Sequence, residues 1–257
     1  MGHDMPHMLA QLAGQGHDYK SQLGWGTPLR DHLNPDYPIN GFEKENAHSH
    51  YLDLQEAIAS QQFDTFIFTE MVEIKDAIKY FDSAKYTKQL ITSMRKLSPT
   101  STIYLYESWH EVTDPEGWIT RLDRDLDKYW LKEILDKAMA PLSDQPPVYV
   151  IPVGQVFSSF FKEVEKRGGV KGIQSPEDIF AKTDDGQLDP IHINDIGVYF
   201  VALVHYAVLY QESPVGKPYQ LTKFSGQPAT APSNEAAQLM QEVTWQVVST
   251  FTRAGLE

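Results

Sequence analysis

Apolar residues recur at three- and four-residue intervals in several stretches of this chain, and short runs of consecutive apolar residues lie between them. Met8, Leu9 and Leu12 predict a helix over 6–13, with Pro6 near its start, where a missing N–H does no harm. Further helices are predicted over 52–60, 85–97 and 156–164. The longest, 119–138, sets Leu122, Leu126, Trp130, Ile134, Leu135 and Ala138 at the 3.6-residue period. Segment 196–209 is apolar on all sides, which marks a buried helix, and Asn194 or Asp195 stands where its cap belongs. The last helix, over 234–251, repeats Ala236, Leu239, Met240, Val243, Val247 and Phe251 behind Ser233 as cap. Core strands are predicted over 63–68, 102–106 and 147–152, and a shorter one over 19–23 runs into the turn Gly24-Trp25-Gly26-Thr27-Pro28. Strands separated by helices of this length favour right-handed crossovers and a parallel sheet covered on both faces. The polar stretch 30–50 reads as a long surface excursion of the kind that covers a site. A turn at Gly168-Gly169 and a polar stretch over 182–187 separate the last strand and helix from the final third. With no repeat, low-complexity tract or linker, a single domain over 1–257 is expected.

Composition narrows the classes. The chain has 257 residues, 41% of them hydrophobic, enough for one sizeable core. A formal charge of -13 argues against nucleic acid or an anionic membrane as main partner. The absence of cysteine rules out disulfides, thiolate metal sites and a cysteine nucleophile. No run of 18 apolar residues is present to span a membrane, and the start carries no secretory pattern. Met1-Gly2 lacks a lipidation signal because Pro6 stands where Ser or Thr is wanted. A soluble protein with no signal peptide and an open choice of compartment is expected, with Leu256-Glu257 as a cloning addition. The histidine pairs His48/His50 and His3/His7 lack the His-Glu-x-x-His arrangement and a carboxylate set, so no metal is expected. No phosphate-cradling loop or dinucleotide fingerprint occurs, so no cofactor is expected either. The basic residues over 162–166 alternate with acids and read as solvated helix surface.

Asp189 and His192, three apart just before a capped helix, carry the candidate chemistry. In a turn there, the carboxylate can accept the imidazole Nδ1–H and leave Nε2 directed into a cleft. The plain alternative is that His192 only caps the following helix while Asp189 is solvated. The run Leu188-Asp189-Pro190-Ile191-His192-Ile193-Asn194-Asp195-Ile196-Gly197, with Tyr199, Ala202, Leu203 and Ser213-Pro214-Val215-Gly216 after it, resembles the C-terminal block of SGNH/GDSL hydrolases. The likeness extends over most of the chain and is similar to a divergent bacterial subgroup. It implies an α/β fold, a flavodoxin-like three-layer sandwich with a mainly parallel sheet. His192 would be general base and then general acid, and Asp189 would orient it. Gly26 resembles the glycine whose N–H serves the oxyanion hole. The family's Gly-x-Asn is replaced by Thr69-Glu70-Met71, so Thr69 would donate in place of asparagine, while an inward Glu70 would repel an oxyanion. Glu107, Trp109 and His110 end a predicted strand, where parallel α/β sheets bind ligands; with Glu70 they are the substrate-binding candidates.

The resemblance also exposes a gap. The family's serine lies between the first core strand and the first helix, and residues 2–9 look like the stretch just after that serine. The first core strand is therefore missing here, and a start site placed too late is the economical reading. Ser21, Ser49 and Ser108 are nearest the pocket segments, but none sits in a strand–turn–helix elbow. Two functions are expected. One is an ester hydrolase for small esters or acylated sugars, impaired without its nucleophile block. The other is a non-catalytic glycan- or protein-binding module using Trp109, Glu107 and the 30–50 excursion. A sheet that has lost a strand should expose unpaired edges, so a homodimer is expected too.

Overall fold

The computed structural model describes residues 2–256. Met1 and Glu257 lie outside the described residues, and so does the Glu257 half of the expected cloning addition. In chain order the elements are α1 (Asp4–Ala13), α2 (Leu29–Leu33), α3 (Phe42–Glu45), α4 (Leu54–Ser60), β1 (Thr65–Phe68), α5 (Ile74–Phe81), α6 (Ser83–Leu97) and β2 (Thr102–Glu107). Next come α7 (Trp118–Asp125), a π-helical run (Leu126–Leu135), α8 (Asp136–Met139), β3 (Tyr149–Pro152) and α9 (Val153–Arg167). The remainder is β4 (Phe180–Lys182), β5 (Leu188–Ile193), α10 (Asp195–Tyr210) and α11 (Asn234–Val248). The chain gathers into two compact units. One holds the residues up to Asp18, Trp109–Asp123 and those from Ile151 onward; the other holds Tyr19–Ser108 and Arg124–Val150.

The strands form two separate sheets. In the first, ordered β1-β2-β3, β1 and β2 are parallel with Thr65 opposite Thr102 and Phe68 opposite Leu105. The Thr102 N–H donates to the Asp64 carbonyl at 2.8 Å. A parallel ladder in that register turns Phe66 and Phe68 toward β2, and points the backbone groups of Thr65 and Ile67 to the opposite edge. Among the described residues no strand pairs with that edge, and the Ile67 side chain stays 38% exposed. Segment 19–23 does not join the sheet as the expected strand. Ser21 makes one isolated parallel bridge to Tyr51, and the Leu23 backbone is satisfied by a side chain instead. The buried Asn46 amide accepts from Leu23 N–H and donates to the Leu23 carbonyl, both at 2.9 Å.

Other differences have equally local causes. Helix α5 buries only Ile74 and Ala77 among its apolar positions, too few for a visible period; Glu73 caps it through the Lys75 N–H. The 126–135 stretch is helical as expected but wide-turned. Leu126, Trp130, Leu131, Ile134 and Leu135 are all buried, a spacing of four and five that suits the wider π turn as well as the α turn. The polar excursion contains α2 and α3 rather than continuous loop.

In the first-named unit α10 is the central helix, buried from Gly197 to Val208 and packed by α1, α9 and α11. Asn194 caps it, accepting from the Ile196 and Gly197 N–H groups, and Ser233 caps α11 through the Ala236 N–H. Gly197 is required by crowding, since a Cβ there would lie 2.7 Å from the Ile179 carbonyl oxygen and 2.7 Å from Ile193 Cβ. The start of α10 is thereby pressed against β5. No helix among the described residues is long and apolar enough to cross a membrane.

Candidate functional site

Segment 188–193, expected as a turn, is the strand β5, paired antiparallel with β4. Its apolar alternation is interrupted by Asp189, Pro190 and His192, which hides it from a periodicity reading. The pairing is irregular in an informative way. Phe180 stands opposite Ile193 and Lys182 opposite Leu188, so Ala181 alone faces the four residues from Asp189 to His192. The surplus swells out as a bulge. In a regular strand, residues three apart point to opposite faces; the bulge brings Asp189 and His192 together. Asp189 Oδ1 accepts the N–H groups of Ile191 (3.0 Å) and His192 (2.9 Å), and Oδ2 lies 2.8 Å from His192 Nδ1. Because an ionised carboxylate only accepts, Nδ1 carries the proton of this pair and Nε2 is left as the basic atom. The His192 side chain is 67% exposed. Burial works against the charge on Asp189, but the N–H groups of His192 and Ile191 and then the His192 ring outweigh it, and hold the carboxyl below its ordinary value.

The bulge is fastened from behind. The Trp109 indole N–H donates to the Ile191 carbonyl at 2.8 Å, and the Val112 N–H donates to the Pro190 carbonyl at 2.8 Å. Trp109 is buried against Phe157, so its ring anchors the bulge instead of presenting a stacking face to a ligand. His110 is buried too, and its carbonyl accepts the Trp118 indole N–H at 2.9 Å.

The remaining candidates belong to the other unit. Thr69, at the end of β1, donates its hydroxyl to the Tyr106 carbonyl at 2.8 Å, which occupies the proton expected to face an oxyanion. Glu70 is buried, and its Oε2 accepts from the N–H groups of Met71 (3.0 Å) and Leu29 (3.3 Å). Burial pushes its carboxyl pKa up, against the opposing pull of Met71, Ser83 and Leu29. Gly26 occupies an exposed turn at φ +51°, with open space where a Cβ would point. Glu107 is buried at the end of β2; burial first, and then the Glu107 charge, raise the neighbouring Tyr106 phenol. Glu70 thus ties the region after the Gly26 turn to the end of β1, and Thr69 ties β1 to β2.

The sequence pattern does not disclose Gln241. This buried amide accepts the Gly216 N–H at 2.8 Å and donates to the Tyr199 hydroxyl (2.9 Å) and the Lys217 carbonyl (2.8 Å). It joins Tyr199 to the Ser213–Gly216 segment, both part of the conspicuous C-terminal run. A lone amide on the apolar side of α11 was the available signal. Among the described residues, no three potential metal-ligating His, Asp or Glu side chains cluster. His48 and His50 pair locally instead, the His50 N–H donating to His48 Nδ1 at 3.1 Å while the His50 ring stacks on Tyr19.

These features define an α/β protein that carries an exposed Asp–His pair on a bulged hairpin. Comparison with known proteins adds a likeness of fold. A crystal structure of a DUF4886-family protein from Bacteroides uniformis ATCC 8492 matches with a TM-score of 0.54 at 13% sequence identity, over 95% of this chain and 88% of that one. No protein-family model matches the chain, and no curated protein matches it significantly.

Proposed function

We propose that this chain is an ester hydrolase of the SGNH type on a flavodoxin-like fold, with Asp189 and His192 as its acid–base pair and acyl esters, including acylated carbohydrate, as substrates. The supporting observation is the anchored pair itself: one carboxylate oxygen is held by two backbone N–H groups and the other by the imidazole. His192 Nε2 takes a proton from water as the water attacks the ester carbonyl; the proton then passes to the departing alcohol, leaving a carboxylic acid. With no serine assigned to the pair, turnover is far slower than serine catalysis. The test is hydrolysis of p-nitrophenyl acetate and acetyl release from acetylated xylan. His192→Ala should lower the rate by roughly 100-fold or more, the usual contribution of a positioned base. Asp189→Asn should lower it as well, and Ser21→Ala and Ser108→Ala should leave it unchanged. Equal rates in the unaltered chain and His192→Ala would sink the reading.

The open edge of β1 supports a second part of the proposal, pairing of two copies through that edge. Light scattering at micromolar concentration should give twice the chain mass, and Ile67→Lys should give the monomer. A strictly monomeric unaltered chain would count against it.

A further inference from the structure

The polar excursion encloses a cleft of about 720 Å³ in the unit that contains it, within the size range of small-molecule sites. Its chemistry can be read atom by atom. The Gln22 side-chain carbonyl accepts the Leu54 N–H at 2.9 Å, and a backbone N–H can only donate, so the orientation of this amide is fixed. Its NH₂ therefore faces His32 Nδ1, at 3.1 Å. A nitrogen that accepts there must carry its proton on the other side, so His32, which lines the cleft, is an Nε2–H donor. Burial lowers the His32 pKa, against the nearby Asp31 charge, and so favours this neutral form.

Acceptors stand beside that donor. Asp53, a lining residue, spends Oδ1 on the N–H groups of Gln55 and Glu56, leaving Oδ2 for a ligand. Asp31, also lining, engages Arg30 through Oδ1. Tyr37 adds an aromatic surface, 40% exposed, with the Arg30 guanidinium 3.9 Å from its ring centre holding one face. The cleft thus offers one neutral N–H donor, three carboxylates and the aromatic rings of Tyr37 and Phe42. The carboxylates of Asp31, Asp53 and Glu43 outnumber the one lining ammonium, Lys44, and disfavour phosphate or carboxylate ligands. A bare cation would leave the His32 donor without an acceptor. A hydroxyl group both donates and accepts, and so satisfies the whole set.

We propose that this cleft binds a neutral saccharide, whose hydroxyls donate to Asp31 and Asp53 and accept from His32 while a sugar face lies on Tyr37. The site goes beyond the ester-hydrolysis reading and is measured without turnover, so failure of one leaves the other standing. The test is isothermal titration and saturation-transfer NMR with maltotriose, xylotriose and N,N′,N″-triacetylchitotriose; glucose 6-phosphate and spermidine serve as charged comparators. At least one neutral trisaccharide should bind, and His32→Phe and the surface change Tyr37→Ala should each weaken it tenfold or more. Glucose 6-phosphate should not bind. The proposal is overturned if no neutral trisaccharide binds at millimolar concentration, if spermidine or glucose 6-phosphate binds more tightly, or if a folded Tyr37→Ala protein binds as well as the unaltered chain.

Discussion

Replacing Arg121 by alanine is expected to cost about 3–5 kcal/mol of folding stability, the usual effect of breaking a buried ion pair from one side. The Arg121 side chain has no exposed surface and its guanidinium donates to Asp114 Oδ2 at 2.6 Å, while Asp114 is 14% exposed. The pair closes the turn that starts α7. Asp114 Oδ1 accepts the Glu116 N–H at 2.8 Å, the Gly117 N–H donates to the Asp114 carbonyl, and the Arg121 N–H donates to the Gly117 carbonyl. Alanine removes the cation and opens a cavity at once. Arg121→Met keeps most of the volume and should recover the cavity part of the loss only. Urea denaturation of the three proteins separates the two contributions, and a loss below about 1 kcal/mol in Arg121→Ala would overturn the expectation.

Acid should destabilise the protein from the ordinary histidine range downward, because of His205. Burial in α10 lowers this imidazole from 6.5 to about 4, although the Val201 carbonyl, 2.9 Å from Nδ1, pulls the other way. In the unfolded chain the same group takes up a proton near its ordinary value. Between the two values the unfolded state binds the extra proton and the native state does not, so stability falls as pH drops from about 6.5 to about 4. A gap of that width corresponds to roughly 3 kcal/mol. Above the window the residue contributes no pH dependence. Asp189, held below its ordinary value of 3.8, has the same sign in a lower window, its contribution being lost as pH falls from that value through its native one. Denaturation at pH 7, 5.5 and 4.5 should show the fall in the unaltered chain and a much flatter profile in His205→Phe. Parallel profiles for the two proteins would refute the assignment.

Those two buried side chains differ in how far the sequence discloses them. His205 lies in a segment apolar on every side, so its burial is legible. The partner of Arg121 is not, because Asp114 belongs to a turn with no periodicity. The same distinction runs through the fold. Helices α10 and α11 were legible because their apolar positions and caps agree, and α1 because its apolar positions recur behind an early proline. Helix α5 was not, having little apolar surface to repeat, and β5 was concealed by the proline and polar residues that make its bulge. At the candidate site, the three-residue spacing of Asp189 and His192 already suggested their contact. For Trp109 the pattern is ambiguous, because an aromatic ring at a strand end suits a ligand or a core equally; its burial against Phe157 is visible only in the fold. The Gln22–His32 bond depends on how the excursion folds back, which no local pattern records.

The meeting of α1 with α10 constrains how the chain can fold as it is made. Met8, Leu9 and Leu12 are made long before α10, against which α1 packs and which is complete only at Tyr210. At ordinary rates of synthesis that is a wait of roughly 10–40 seconds, during which the apolar side of α1 has no native cover. Helix α1 is therefore made well ahead of the helix that covers it, and the unit it belongs to cannot close around α1 until α10 is complete.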